Sequence, residues 1–489
     1  MPRSLTLRRI FPWLAVGPVI LFLGIFFGKS TFESISVDMA SNASQLHLTP
    51  QTMGMVNASS PPIGATVTAN RLLQRNHNEF HITWNDAGLH NHIAHALLTL
   101  YSLGANSEQL QRAFDDGQEI QRPQPSHSEG SDVQLSDPDQ FYGALGRQEN
   151  YRDYLDFFTK AIERDGWKRI VNKYCFERGR IADELFARLF SGGYHPLIHL
   201  GFGIEFEQPA IIAEALAECA IHDEGAGRAF LKSAEAMASA GWTFESPPEV
   251  SLAKLVDSIH ATDEIRTAAR WEDPNKMQSV FDRVGTKMEI VAALFQVRPD
   301  TLKRKEAEMI SACAYFTGAA QRADNAIKMD FFYMHDVTSS IFVSVILAQD
   351  WISDSAKVRL LEWKGRLDLA WYASRGAPRL NIDAINDYQP TMSAGMDWPD
   401  LYQAVNSMHD DGHVAKIIRA FKNGEEVCAR FAELEGTPAF PVRGAAWLKL
   451  AQMAYDSTVN TEPDGEIPKW VMNAGFDQAW DKVPRRAKL

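Results

Sequence analysis

Histidines at well-separated places carry the strongest chemical signal in this chain. In LHNHIAHALLTLYSLGAN, His90, His92 and His95 stand at the start of a helical stretch, and His92 and His95 are three apart, within reach of one ion. His92 shares a stripe with Ala96, Thr99 and Leu103, which turns it inward. In GGYHPLIHLGFGIEF, Pro196 suits a first helical turn, and His195 and His199 are four apart, a common two-ligand spacing. His335, in FFYMHDVTSSIFVSVIL, continues an apolar face through Ser339, Phe342 and Ile346. Asp336 beside it would orient a neighbouring imidazole or serve as a solvated helix-start carboxylate. His413, in DDGHVAKIIRAF, shares a face with Ile417, Ala420 and Phe421, while Lys416 and Arg419 turn to other sides. Each histidine alone also fits a hydrogen-bonded core role. Their convergence favours a metal site with His92, His95, His195, His199 and His335 as ligands and His90 and His413 in reserve.

Lys364, in RLLEWKGRLDLAWYASRGAP, shares an apolar stripe with Leu360, Leu367 and Trp371. A buried ammonium is costly unless paired or neutralised. Four readings stand: pairing with a buried carboxylate, a base of lowered pKa, carboxylation by carbon dioxide to make a metal ligand, and snorkelling to water. Lys364 therefore joins the candidate ligands and, with His335, the candidate catalytic residues. A ligand set rich in His and free of Cys favours non-haem iron over copper, zinc or manganese. Cys175, Cys219, Cys313 and Cys428 have no CxxC spacing and read as buried thiols. GFGIEF, at 201–206, lacks the third glycine and the preceding strand of a dinucleotide turn, and reads as a helix end or tight turn.

Helices must position these groups. In YRDYLDFFTKAIERDG, Tyr151, Leu155, Phe158 and Ile162 fall on one face and Gly166 ends the run. Similar spacing recurs at 181–190, 209–220, 227–240, 339–351, 357–372, 413–434 and 445–455, while alternating strand segments are scarce. The expectation is an all-α protein, a single large helical catalytic domain over 70–489, with no fixed-period repeat. Residues 31–69 read as linker and lead-in, and Arg122–Asp139 as an exposed excursion. Arg3, Arg8 and Arg9 precede an apolar run at 11–27, so residues 1–30 read as a signal peptide or membrane anchor. That segment, if real, implies membrane association or secretory entry; otherwise the chain is cytoplasmic. Asn42 and Asn57 form sequons. A net charge of −13 with scattered basic residues argues against a nucleic-acid partner, and 45% apolar residues in 489 supply a sizeable core.

The blocks HNHIAHALLTLYSLGA, NYRDYLDFF, GGYHPLIHLGFGIEFEQPAIIAEALA, MHDVTSSIF, WKGRLDLAWYASRGAP and DDGHVAKIIRAF, in this order, resemble the questin oxidase-like family of fungal secondary metabolism. The resemblance runs from Leu46 to the mid-450s. It implies an oxygen-dependent, flavin-independent oxidoreductase acting on an aromatic polyketide such as an anthraquinone, by Baeyer–Villiger-like insertion or ring cleavage, with dioxygen and NADPH. It matches His92, His95, His195, His199, His335 and Lys364 to the family pattern. Trp84, Tyr101, Phe202, Tyr333 and Trp363 are candidates for stacking the substrate. Two other readings stay open: a metal-dependent hydrolase, and a non-catalytic helical binding protein.

Overall fold

The computed structural model describes residues 43–125, 134–223, 225–240, 249–434, 437–459 and 467–486. Helices joined by turns fill them, and the β pairings among them are isolated bridges, such as Thr83 with His90, so the all-α expectation holds. Tyr151–Asp165 buries Tyr151, Leu155, Phe158 and Ile162, and stops at Gly166, whose φ of 81° suits glycine. Arg180–Arg188, Pro209–Ile221, Gly227–Ser239, Asp354–Ser374 and Ala446–Val459 lie where apolar spacing puts them, and His413–Cys428 starts where expected but gives way to a 3-10 turn over Ala429–Leu434. Phe331–Leu347 also departs from the sequence reading and begins eight residues earlier than expected. Asp330 caps it by accepting from the Phe332 and Tyr333 amides, and Tyr333 to Leu347 are all buried, so no amphipathic stripe marks its start.

Four helices close a ring around the site. Ile93–Ser102 packs on His195–Glu205, which packs on Phe331–Leu347, which packs on His413–Cys428, which returns to Ile93–Ser102. Each brings a histidine at or near its N-terminal end: His92 is an N-cap, His195 and His413 are first residues, and His335 lies just past a first turn. Two glycines permit the close approach. A Cβ on Gly412 (φ 94°) would stand 3.0 Å from Cα of Ala96, and one on Gly201 would stand 2.3 Å from Cβ of Phe342. GFGIEF thus lies mostly within a packed helix, with no strand before it.

Residues 43–64, read as linker and lead-in, are tied to the body. Leu48 and Val56 are buried, the His47 amide donates to Gln208, the Met55 amide to Glu205, and Ala58 N to Ser102 O. The N-terminal apolar segment and residues 126–133 of the polar excursion lie outside the described residues. No described helix is long and apolar enough to cross a membrane. All four cysteines are buried, and none forms a disulfide among the described residues.

Candidate active site

His92 and His195 face each other with their Nε2 atoms 2.8 Å apart. His413 completes a trio in which one ligand atom from each lies within 4.8 Å of the others. The His335 ring is centred 5.0 Å from that of His195 and 5.1 Å from that of His413. An oxygen holds the far side of three of these rings: His195 Nδ1 donates to Gly192 O at 2.6 Å, His335 Nδ1 to Phe331 O at 2.7 Å, and His413 Nδ1 to Asp411 at 2.7 Å. The other Asp411 oxygen lies 3.8 Å from His92 Nδ1. Anchoring Nδ1–H fixes the tautomer with the lone pair on Nε2, the form that binds metals. Among the described residues, the Nε2 atoms of His335 and His413 are buried without a hydrogen-bond partner.

Burial, reinforced by the Lys416 ammonium, pushes His92 and His335 down to about 3. Burial takes His413 to about 4 against the pull of Asp411. These imidazoles are therefore neutral at neutral pH, as ligation requires. Tyr194, immediately before His195, sits at φ 69°, a left-handed conformation unusual for a non-glycine residue, and Gly192 and Gly193 precede it at φ 54° and 67°. A Cβ on Gly192 would fall 2.4 Å from His222 Nε2 and 2.7 Å from His90 Cε1, so this turn makes room for two more imidazoles.

The histidines open on a cavity of about 820 Å³ whose wall includes His90, His92, His195, His335 and His413. A scan of family models matches residues 89–421 to the questin oxidase-like family. Among curated proteins, the Baeyer–Villiger oxidase ptaJ of Pestalotiopsis fici is 47% identical over 447 residues, which is 91% of this chain and 99% of the relative. The Baeyer–Villiger monooxygenase dmxR6 of Cryptosporiopsis sp. is 46% identical, covering 90% of this chain and 98% of its own. The questin oxidase of Aspergillus terreus is 44% identical, covering 91% and 98%. The chain belongs to the questin oxidase-like family. It is an oxidoreductase, which decides among the three readings against the hydrolase and the binding protein. The family match begins just before His90 and ends inside the His413–Cys428 helix, so it takes in every candidate histidine.

Within this questin oxidase-like body, the remaining candidates form a second tier. His95 Nε2 lies 3.0 Å from His199 Nδ1, and His199 Nε2 lies 2.8 Å from Glu214, whose other oxygen is 2.6 Å from His77 Nδ1. The pairs at spacings of three and four form two rungs between facing helices, His92 with His195 and His95 with His199. Both nitrogens of His199 are engaged. Burial would raise Glu214, but donation from His199 and His77 holds it down to about 2. His90 stacks on His195 at 4.0 Å, with its Nε2 3.4 Å from Glu218.

Lys364 is fully buried, and its partners include no histidine. It pairs with Asp368, donates to Asp336 O at 3.1 Å and faces the Tyr194 ring. Burial would lower its pKa, but Asp368 holds it above the ordinary value, so the carboxylate-pairing reading is the one the structure bears out. An ammonium has no lone pair to give a metal. Asp336 turns to this network as well: burial and the Asp368 charge push its carboxyl well above the usual range. Lys416 and Arg419, expected to turn away, are buried. Arg419 bonds Val56 O and Glu205, whereas Lys416 Nζ has no hydrogen-bond partner among the described residues and burial lowers it to about 8.

Of the aromatic candidates, Trp84 lines the cavity. Tyr101 contacts Thr66 and Thr49 through its hydroxyl, Phe202 packs on His95 and Phe342, Tyr333 bonds Tyr372 O, and Trp363 packs on Phe186 and Phe190. Phe190, Phe331, Phe332 and Trp371 supply the wall instead. Apolar periodicity does not separate a residue facing a cavity from one facing the core, so sequence reasoning missed them. Asp411 was legible as a carboxylate two residues before His413.

Proposed function

We propose that this chain is a Baeyer–Villiger-type monooxygenase acting on an aromatic polyketide of the anthraquinone class, at a non-haem iron centre held by His92, His195 and His413 with His335 beside them. The observation that carries the reading is the set of imidazoles at the cavity wall. Three have Nδ1 tied to an oxygen, and the Nε2 atoms of His335 and His413 are buried and, among the described residues, unpartnered. Buried polar atoms without partners are costly; a cation would satisfy that of His413, and a substrate hydroxyl that of His335. The names of the relatives support the reaction class. In balance, a ring ketone, dioxygen, NADPH and a proton give a lactone, water and NADP+. The iron would supply activation of dioxygen, and NADPH the two electrons that reduce the second oxygen atom to water.

The protein's own part is placement and exclusion. Burial keeps the imidazoles neutral, Asp411 fixes the His413 ring, and the Phe331, Phe332 and Trp371 wall gives a planar substrate a surface to stack on while keeping water away. With the trio on the ion, His335 Nε2 is left to accept a hydrogen bond from a substrate hydroxyl.

The test is turnover of questin with NADPH under isotopically heavy dioxygen. One labelled oxygen should enter the product and one the water, and stoichiometric iron should disappear in His413→Ala. An unlabelled product, or full turnover by metal-free protein, overturns the reading.

A further inference from the structure

Arg375 lies in the cavity wall away from the histidines' own helix ends, and it is 6% exposed. Its guanidinium carbon sits 4.2 Å over the Phe332 ring and 5.1 Å from that of Trp371. Those two rings are stacked, 5.1 Å apart with an interplanar angle of 15°. The guanidinium is held from one side only: Nε donates to Ser374 Oγ at 3.2 Å and Nη1 to Asn473 Oδ1 at 2.8 Å. Among the described residues Nη2 has no acceptor, and no carboxylate comes within ion-pair distance. Asp330, whose field reaches it, spends its oxygens on the amides of Phe332, Tyr333 and Ala474.

The other basic residues of the wall are accounted for. Arg228 is paired with Glu184, and Lys276 Nζ is capped by the carbonyls of Trp271 at 2.7 Å and Asp273 at 3.0 Å. Lys276 moreover repels Arg375 rather than neutralising it. The cavity therefore contains a buried guanidinium with a free donor edge, set on an aromatic platform and with no carboxylate in ion-pair contact among the described residues. Such a charge is costly until an anion meets it.

Position gives the charge a use. Phe331 packs on His335 at 4.6 Å and on His413 at 5.3 Å, while its neighbour Phe332 lies under Arg375. A planar molecule along this wall would have one end at the guanidinium and the other at the histidines. We propose that Arg375 orients the substrate by binding an oxyanion on its ring system, an ionised phenol or carboxylate, and so selects which ring carbon meets the histidine centre; this rests on the cavity being the substrate site, as argued above.

Calorimetric binding to the full-length protein tests it without turnover, using anthraquinone-2-carboxylate against anthraquinone-2-carboxamide, and 2-hydroxyanthraquinone at pH values above and below its ionisation against its methyl ether. At least one of the two anions should bind about tenfold or more tightly than its neutral partner, and the arm that does so identifies the group. Arg375→Gln should abolish the preference, and Arg375→Lys should keep part of it. Equal binding of anion and neutral partner in both arms, or a preference surviving in Arg375→Gln, overturns the role of Arg375 alone. Failure of every ring compound to bind overturns the substrate-site reading together with it. Should the glutamine variant not fold, the wild-type ratio and the lysine variant decide.

Discussion

The Tyr194 hydroxyl donates to Asp368 at 2.8 Å, and Asp368 is the carboxylate that pairs with Lys364. Tyr194 is the left-handed residue directly before His195, so a buried ion pair behind the cavity helps hold the turn that aims a candidate ligand.

Lys364→Met should cost about 3–5 kcal/mol in chemical denaturation, because it strands Asp368 as a buried, uncompensated charge. A Lys364→Met/Asp368→Leu double variant should recover most of that loss. Because the pair holds the turn through Asp368 and Tyr194, this double variant should bind metal more weakly than Lys364→Met/Asp368→Asn, which keeps an acceptor for the Tyr194 hydroxyl; equal metal binding by the two would contradict the positioning role.

Asp411→Ala should weaken metal binding about 10–100-fold, since it removes the acceptor that fixes His413. Competition with a chelator of known affinity measures this. His413→Ala should weaken binding further, and His199→Ala less than His413→Ala, because both nitrogens of His199 are already engaged by His95 and Glu214.

Gly412→Ala should destabilise the protein by about 1–3 kcal/mol. The added Cβ meets Ala96 at 2.9 Å in a backbone at φ 94°. The helix beginning at His413 would shift away from the His92 helix, so kcat should fall as well. Thermal melting and steady-state rates report the two effects separately.

Acid should destabilise the metal-free protein from about pH 6.5 downward. The unfolded chain protonates its histidines near 6.5, whereas burial keeps His92 and His335 at about 3 and His413 at about 4. The unfolded state therefore takes up protons first, and stability falls with pH. Glu214, held at about 2, adds to the loss in the same direction as pH falls from its unfolded range near 4.5 through 2. Urea midpoints between pH 7 and 4 check the sign, and Glu214→Gln should flatten the curve below pH 5. A midpoint constant over that range would contradict these assignments.

Much of the fold was legible because helix-forming signals are local. The stripe of Tyr151, Leu155, Phe158 and Ile162 and the stop at Gly166 needed no distant partner. The same holds for the inward face of His413, which Ile417 and Phe421 declare, and for the place of Lys364 on an apolar stripe, whereas its pairing with Asp368 came only from the structure. The start of Phe331–Leu347 was hidden because a helix buried on all sides has no stripe. Burial of Lys416 was hidden for a similar reason, since a helix wedged between others buries more than one face.

By itself the sequence determined an all-α body, a set of inward histidines near helix starts, and membership of an oxidase family. Only the tertiary structure decided that His413, rather than His95 or His199, joins His92 and His195, and that Arg375 and Trp371 face the cavity. Spacing along one helix says which residues share a face. Where an imidazole nitrogen points depends on the acceptor behind it and on how closely another helix approaches, and both are set by residues up to hundreds of positions away, such as Ala96 against Gly412.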